Sequence, residues 1–197
     1  MVAAAFADPV LAAQATFRAV LDATARPGTT VTLSEPLAAP APLAAGAAAI
    51  ALTLCDHDTQ VWLDPLLAAE PAVGEWLRFH TAARLTADPA GAAFAFVGDA
   101  PALPPFEAFN PGTLEYPDRS TTIAIQVASL ARGARLMLSG PGIAGESMIH
   151  VDGLPADILA RLAVNRRLFP RGVDLLLVCG SDIMALPRTT RVQAGDD

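Results

Sequence analysis

A chain of 197 residues, 53% hydrophobic and 17% charged, carries enough apolar material for one core and too little net polarity to remain unfolded. Its net charge of −7 argues against general affinity for nucleic acid or anionic lipid, whose phosphates repel it at long range. All 13 basic side chains are arginine. The absence of lysine excludes chemistry that needs a lysine amine, a pyridoxal-phosphate Schiff base included, and it excludes a GK[ST] phosphate loop.

Asp8-Pro9 opens a helix, with an acceptor at the N-cap and proline at the first helical position, where its missing N–H costs nothing. Val10, Leu11, Gln14, Phe17, Val20 and Leu21 recur at helical spacing, and Arg26-Pro27-Gly28 ends the segment. A short strand is expected over 30–33, a proline- and alanine-rich loop over 36–42, and a buried helix over 44–54. A strand over 61–63, a helix over 70–79 and a strand over 93–97 follow. Residues 98–120 carry five prolines and no period, the pattern of a functional or mobile connection. Beyond it the chain turns strongly β, over 121–130, 135–138 and 147–151, before a helix over 155–167. VDLLLVC (173–179) reads as a strand buried on both faces, and Gly180-Ser181-Asp182 as a hairpin turn into 183–186. Helices alternating with strands early and hairpins late imply an α/β fold, a mixed β-sheet flanked by helices. One domain over 1–197 is expected, with the last few residues disordered.

Four short motifs follow one another in order: LTLCDHDTQVWLD (52–64), RFHT (78–81), SGPGI (139–143) and PRTT (187–190). Further matching positions are Pro9-Val10, Gln14, Phe17-Arg18, Pro27-Gly28, QVASL (126–130), and Phe169-Pro170 with Gly172, Asp174 and Leu175. In these residues, nearly end to end, the chain resembles the PhnH family, subunits of the carbon–phosphorus lyase system of bacterial phosphonate breakdown. The resemblance implies a fold similar to the large domain of pyridoxal-phosphate-dependent transferases, without the cofactor. It implies homodimers in isolation and assembly with sister subunits into a core complex. That complex couples a phosphonate to a nucleoside triphosphate, giving a ribose 1-phosphonate 5-triphosphate. A non-catalytic or supporting role within it is the expectation.

Taken singly, the motifs leave alternatives open. Asp56-His57-Asp58 reads as a helix-to-strand turn rather than a metal cluster, because neighbouring residues diverge and no second ligand pair is present. Arg78 and His80 complement a helix C-terminus or line a pocket for an anion. Gly140-Pro141-Gly142 is a hairpin turn or a phosphate cradle. Arg188 either pairs with a carboxylate and locks the end of the folded chain, or holds a substrate phosphate. Arg161, Arg166, Arg167 and Arg171 around Phe169 form a solvated face or a docking surface for an acidic partner. Cys55 and Cys179 sit in apolar runs, as buried free thiols do.

No catalytic, cofactor-binding or metal-ligating residue is assigned. The first ten residues lack a basic-then-apolar signal and no long apolar run occurs, so a cytoplasmic protein without a membrane span is expected. The rival to a complex subunit is an autonomous enzyme or binder for a phosphonate or nucleotide anion, with Arg78, His80 and Arg188 as its pocket.

Overall fold

A computed structural model describes residues 3–33 and 37–195. In chain order the elements are α1 Pro9–Ala25, β1 Val31–Thr32, α2 Ala45–Leu54, β2 Gln60–Leu63, α3 Pro65–Ala68, α4 Pro71–Thr81, β3 Arg84–Thr86 and β4 Phe94–Val97. Then come β5 Thr122–Gln126, β6 Ser129–Ser139, β7 Glu146–Asp152, α5 Ile158–Arg167, β8 Asp174–Cys179, β9 Asp182–Leu186 and β10 Arg191–Ala194.

Two sheets form. The larger has seven strands in the order β1-β9-β8-β5-β4-β2-β3, and the smaller has three in the order β10-β6-β7. From β3 to β8 the large sheet is parallel; β9 pairs antiparallel with β8, and β1 antiparallel with β9. Alternate residues along its strands feed two apolar layers, as the period of two requires. Val61, Leu63, Phe96, Ala124, Leu176 and Val178 face α1, α2 and α4. Trp62, Ala95, Val97, Ile123, Leu175 and Leu177 face α5, the 98–120 connection and the small sheet. The sheet is mixed and flanked by helices, as expected from the order of elements.

Helix α1 starts where Asp8-Pro9 predicts: Asp8 Oδ1 accepts the N–H groups of Val10 and Leu11, both at 3.1 Å. Of the six positions that recur at helical spacing, however, only Val20 is buried. Val10, Phe17 and Leu21 are 77%, 47% and 52% exposed, and the buried residues are Ala12, Thr16, Val20 and Ala23. Small side chains let α1 lie close on α2, whose residues 46–51 are all buried. Gly46 brings α2 equally close to the sheet. A β-carbon there would sit 2.9 Å from the Gly180 carbonyl, which instead accepts the Gly46 N–H at 2.8 Å.

Other expectations need correction. The apolar run 121–130 is two strands in different sheets. Val127 N–H turns to Val178 O and Ala128 N–H to Asp152 O, so the chain changes sheets without losing hydrophobicity. The strand expected at 135–138 is the end of the longer β6. The 98–120 connection is packed, with Ala100, Leu103, Phe106 and Phe109 buried beneath the large sheet. Its prolines start short 3₁₀ turns at Ala100–Ala102 and Pro117–Arg119, which produce no sequence period. The folded chain also does not end at Arg188, because β10 follows and pairs with β6. Strands β3 and β10 escape a pattern search because each holds three or four residues with little apolar content. The expected loop at 36–42 is described from residue 37 onward, and of the last few residues 196 and 197 lie outside the described part.

Candidate functional site

In the parallel part of the large sheet, the first strand in sequence, β2, lies between β3 and β4. Strand order therefore reverses at β2/β4, and open α/β sheets take ligands beyond the carboxyl ends of their strands at such a point. Here Asp64, fully buried, occupies it. Its carboxylate accepts N–H groups from Leu67 at 2.9 Å, Gly98 at 2.9 Å and Asp99 at 2.8 Å. The backbone donors that would cradle an anion are thus satisfied by the chain's own carboxylate, which also caps α3. Sequence reasoning passed over Asp64, although Asp64-Pro65 repeats the Asp8-Pro9 helix start.

One strand further toward the edge, a cavity of about 690 Å³ opens beyond the ends of β2 and β3. Trp62, Leu63, Pro65 and Leu85 make it mostly apolar, and Glu70, Glu75 and Arg78 are its charged lining residues. Gly74 gives it room: a β-carbon there would stand 3.2 Å from Leu85 and 3.7 Å from the Arg78 guanidinium. His80 is turned elsewhere. Its Nε2 donates to the Ala3 carbonyl at 2.9 Å, an acceptor it shares with Trp76 Nε1 at 3.1 Å, so it helps tie down the N-terminal segment.

Arg188 lies at the opposite, amino-terminal end of β8. Its backbone N–H donates to Asp174 at 2.8 Å and its Nε to both Asp174 oxygens at 3.1 and 3.2 Å. Nη2 donates to Asp174 and Ser120, and Nη1 to the carbonyls of Pro117 at 2.8 Å and Pro170 at 3.3 Å. Four residues from two stretches of chain, 117–120 and 170–174, meet on this one side chain, which is only 12% exposed. The structure does not bring Arg188 to Arg78 and His80. Four strand steps separate β8 from β3, roughly 19 Å at about 4.8 Å per step.

Asp56-His57-Asp58 is a turn. Asp56 accepts the Asp58 N–H at 3.0 Å and the Thr59 hydroxyl at 2.8 Å, and these two hydrogen bonds hold its carboxyl below the usual range. His57 is exposed beside Asp58. Among the described residues no three His, Cys, Asp or Glu side chains converge as metal ligands. Gly140-Pro141-Gly142 connects the antiparallel β6 and β7; Gly142, at φ +81°, is pressed against the Ala25 carbonyl, where a β-carbon would collide. Cys55 is buried, and burial, reinforced by the Asp56 charge, pushes its thiol up to about 12. Cys179 is half-buried.

The arginines around Phe169 divide. Arg161 donates Nε to Asp157 at 2.7 Å and Nη1 to the carbonyls of Leu103 and Pro104 at 2.6 and 2.9 Å, clamping the 98–120 connection to α5. Arg166 donates to the Thr189 carbonyl at 2.7 Å. Arg171 is half-buried, Phe169 exposed, and Arg167 projects outward. Arg166 and Arg167 line one wall of a groove of about 500 Å³ between α5 and β10, with Arg191 opposite.

Taken together, the α/β architecture and the placement of the motif arginines describe a protein whose most fully hydrogen-bonded arginines hold its own segments together. Residues 4–193 match the PhnH family of bacterial phosphonate metabolism proteins. The chain belongs to this family. It is 47% identical over 189 residues to the alpha-D-ribose 1-methylphosphonate 5-triphosphate synthase subunit PhnH of Rhizobium meliloti (strain 1021), covering 96% of this chain and 94% of the relative. It is 37% identical over 81 residues to the putative C-P lyase subunit protein HtxG of Stutzerimonas stutzeri, 41% of this chain and 42% of that one.

Proposed function

We propose that this chain is a supporting subunit of a carbon–phosphorus lyase complex. In that reading it assembles with sister subunits that couple a phosphonate to a nucleoside triphosphate, giving a ribose 1-phosphonate 5-triphosphate. The observation that carries the reading is 47% identity, spread over nearly the whole length of both chains, to a named subunit of that synthase. The occupation of Arg188 by Asp174 is in keeping with it, since the most elaborate polar cluster has no donor left for a substrate.

Homodimer formation in isolation and a cytoplasmic location belong to the same reading, as does a likeness to the large domain of pyridoxal-phosphate-dependent transferases. The outward stripe of Val10, Phe17 and Leu21 on α1 is the surface we assign to the dimer, because exposed apolar faces of this kind are usually covered. No helix among the described residues is long and apolar enough to cross a membrane.

Native mass spectrometry of the chain co-expressed with the other core subunits of its own phosphonate operon tests the proposal. A defined hetero-oligomer is expected. A homodimer that ignores those subunits would overturn it.

A second reading rests on the cavity beside Arg78, which is large enough for a small molecule. There the chain alone binds a phosphonate or nucleotide anion, without help from His80 or Arg188. Calorimetric titration with methylphosphonate and nucleoside triphosphates decides it, a flat trace ruling the reading out.

A further inference from the structure

Strand β10 is an edge strand, paired only with β6. In an antiparallel pair, residues that exchange backbone hydrogen bonds alternate with residues that do not. Gly195 N–H donates to Arg135 O at 2.9 Å, so positions 191, 193 and 195 bond to β6. The N–H and C=O groups of Val192 and Ala194 therefore point away from β6, and they have no hydrogen-bond partner among the described residues. Of the two, Val192 lines the groove shared with α5, and Ala194 continues the same free edge beyond it.

The groove is basic on a protein of net charge −7. Arg166, Arg167 and Arg191 line it, with Thr190 and Gln193. Neither Arg167 nor Arg191 is ion-paired among the described residues. The Thr190 hydroxyl is buried with no partner, a polar group left unsatisfied in the same seam. A compact anion meets the arginines but is repelled by the outward carbonyls of Val192 and Ala194. An extended peptide supplies both donors and acceptors to the ladder, and acidic side chains on it reach the guanidinium groups.

We propose that the α5–β10 groove receives an extended, acidic segment of a sister subunit, added as a further strand beside β10. This inference rests on the reading of the chain as a complex subunit and names the surface that reading lacks. An exposed edge with arginine at its head also explains how β10 avoids indiscriminate pairing: only a segment of opposite charge is accepted.

The test uses the full chain and its cognate core subunits. Ala194→Pro removes one outward N–H while leaving the β6 bonds in place, because position 194 donates nothing to β6. Arg167→Glu with Arg191→Glu reverses the groove's charge. Each variant is expected to keep the thermal midpoint of the free chain and to weaken subunit binding by at least about tenfold. Amide exchange at Val192 and Ala194 is expected to slow on assembly. Assembly of both variants at wild-type affinity, with the Val192 and Ala194 amides of the wild-type assembly exchanging as in the free chain, would overturn the strand-addition proposal and leave the subunit reading standing. Inorganic phosphate is the competing probe: saturable shifts at Arg167 and Arg191 with assembly unaffected would give the groove to a compact anion instead. Loss of the homodimer alone in the double variant would give it to a second copy. Failure of the wild-type chain to assemble removes both readings together, which separates that failure from the others.

Discussion

Arg188 and Arg167 are the same residue type on the same acidic protein, and the two regions around them behave in opposite ways. Around Arg188 every donor direction is answered, by Asp174, Ser120, Pro117 and Pro170, and the side chain is nearly buried. Around Arg167 and Arg191 the guanidinium groups stand along an open groove beside an unpaired strand edge. A buried guanidinium needs such partners because an unpaired charge in a low-dielectric seam is costly. An exposed one keeps its hydration and remains available. The difference separates an arginine that holds the fold from one that can meet another molecule, a distinction that residue type alone does not make.

The largest expected effect breaks the Arg188 region. Arg188→Ala leaves the Asp174 carboxylate with only the backbone N–H of residue 188 and the Ser120 hydroxyl without its guanidinium partner, and should cost about 3 kcal/mol in urea unfolding. A loss under about 1 kcal/mol would remove Arg188 from its structural role and return it to the list of binding residues. Arg161→Ala is the intermediate case. It frees the Leu103 and Pro104 carbonyls, and about 1.5 kcal/mol is expected, with faster amide exchange confined to the 98–120 connection. Arg167→Ala should change monomer stability by no more than about 0.5 kcal/mol, since it breaks no recorded contact. If it destabilises the free chain as Arg161→Ala does, the contrast between the two regions fails.

The two thiols extend the contrast to a smaller scale. With its thiol pushed up to about 12, Cys55 is roughly one part in ten thousand thiolate at pH 8, so a disulfide reagent should modify Cys179 first and Cys55 only on unfolding. The sign of the linkage is set by the raised value. Burial favours the protonated thiol, so its contribution to stability is complete below the ordinary value of 9.0 and is lost as pH rises toward about 12. Cys55→Ala should flatten that alkaline decline, measured as thermal midpoint against pH.

Much of the architecture was legible from local pattern. The helix start at Asp8-Pro9, the buried alanine-rich α2, the turn at Asp56, and the strand 173–179 with its hairpin all follow from short-range rules: an acceptor before proline, apolar runs, glycine at a turn. The family too was written in the order of the four motifs.

What the tertiary structure decided is where those local pieces point. Helical spacing in α1 located the helix, yet the close fit of Ala12, Thr16 and Ala23 on α2 turned Val10, Leu11, Phe17 and Leu21 to the surface. Apolar content across 121–130 was continuous, yet the bonds of Val127 and Ala128 to two different strands divided it between sheets. Arg188 finds Pro117 from 71 positions away and Ser120 from 68, and Arg167 finds no partner at all among the described residues. Propensity and periodicity act over a few residues, whereas the pairing of a charge depends on what the folded chain brings beside it. The elements and the family were therefore set by sequence, and the division of the arginines into internal clamps and an open groove by packing.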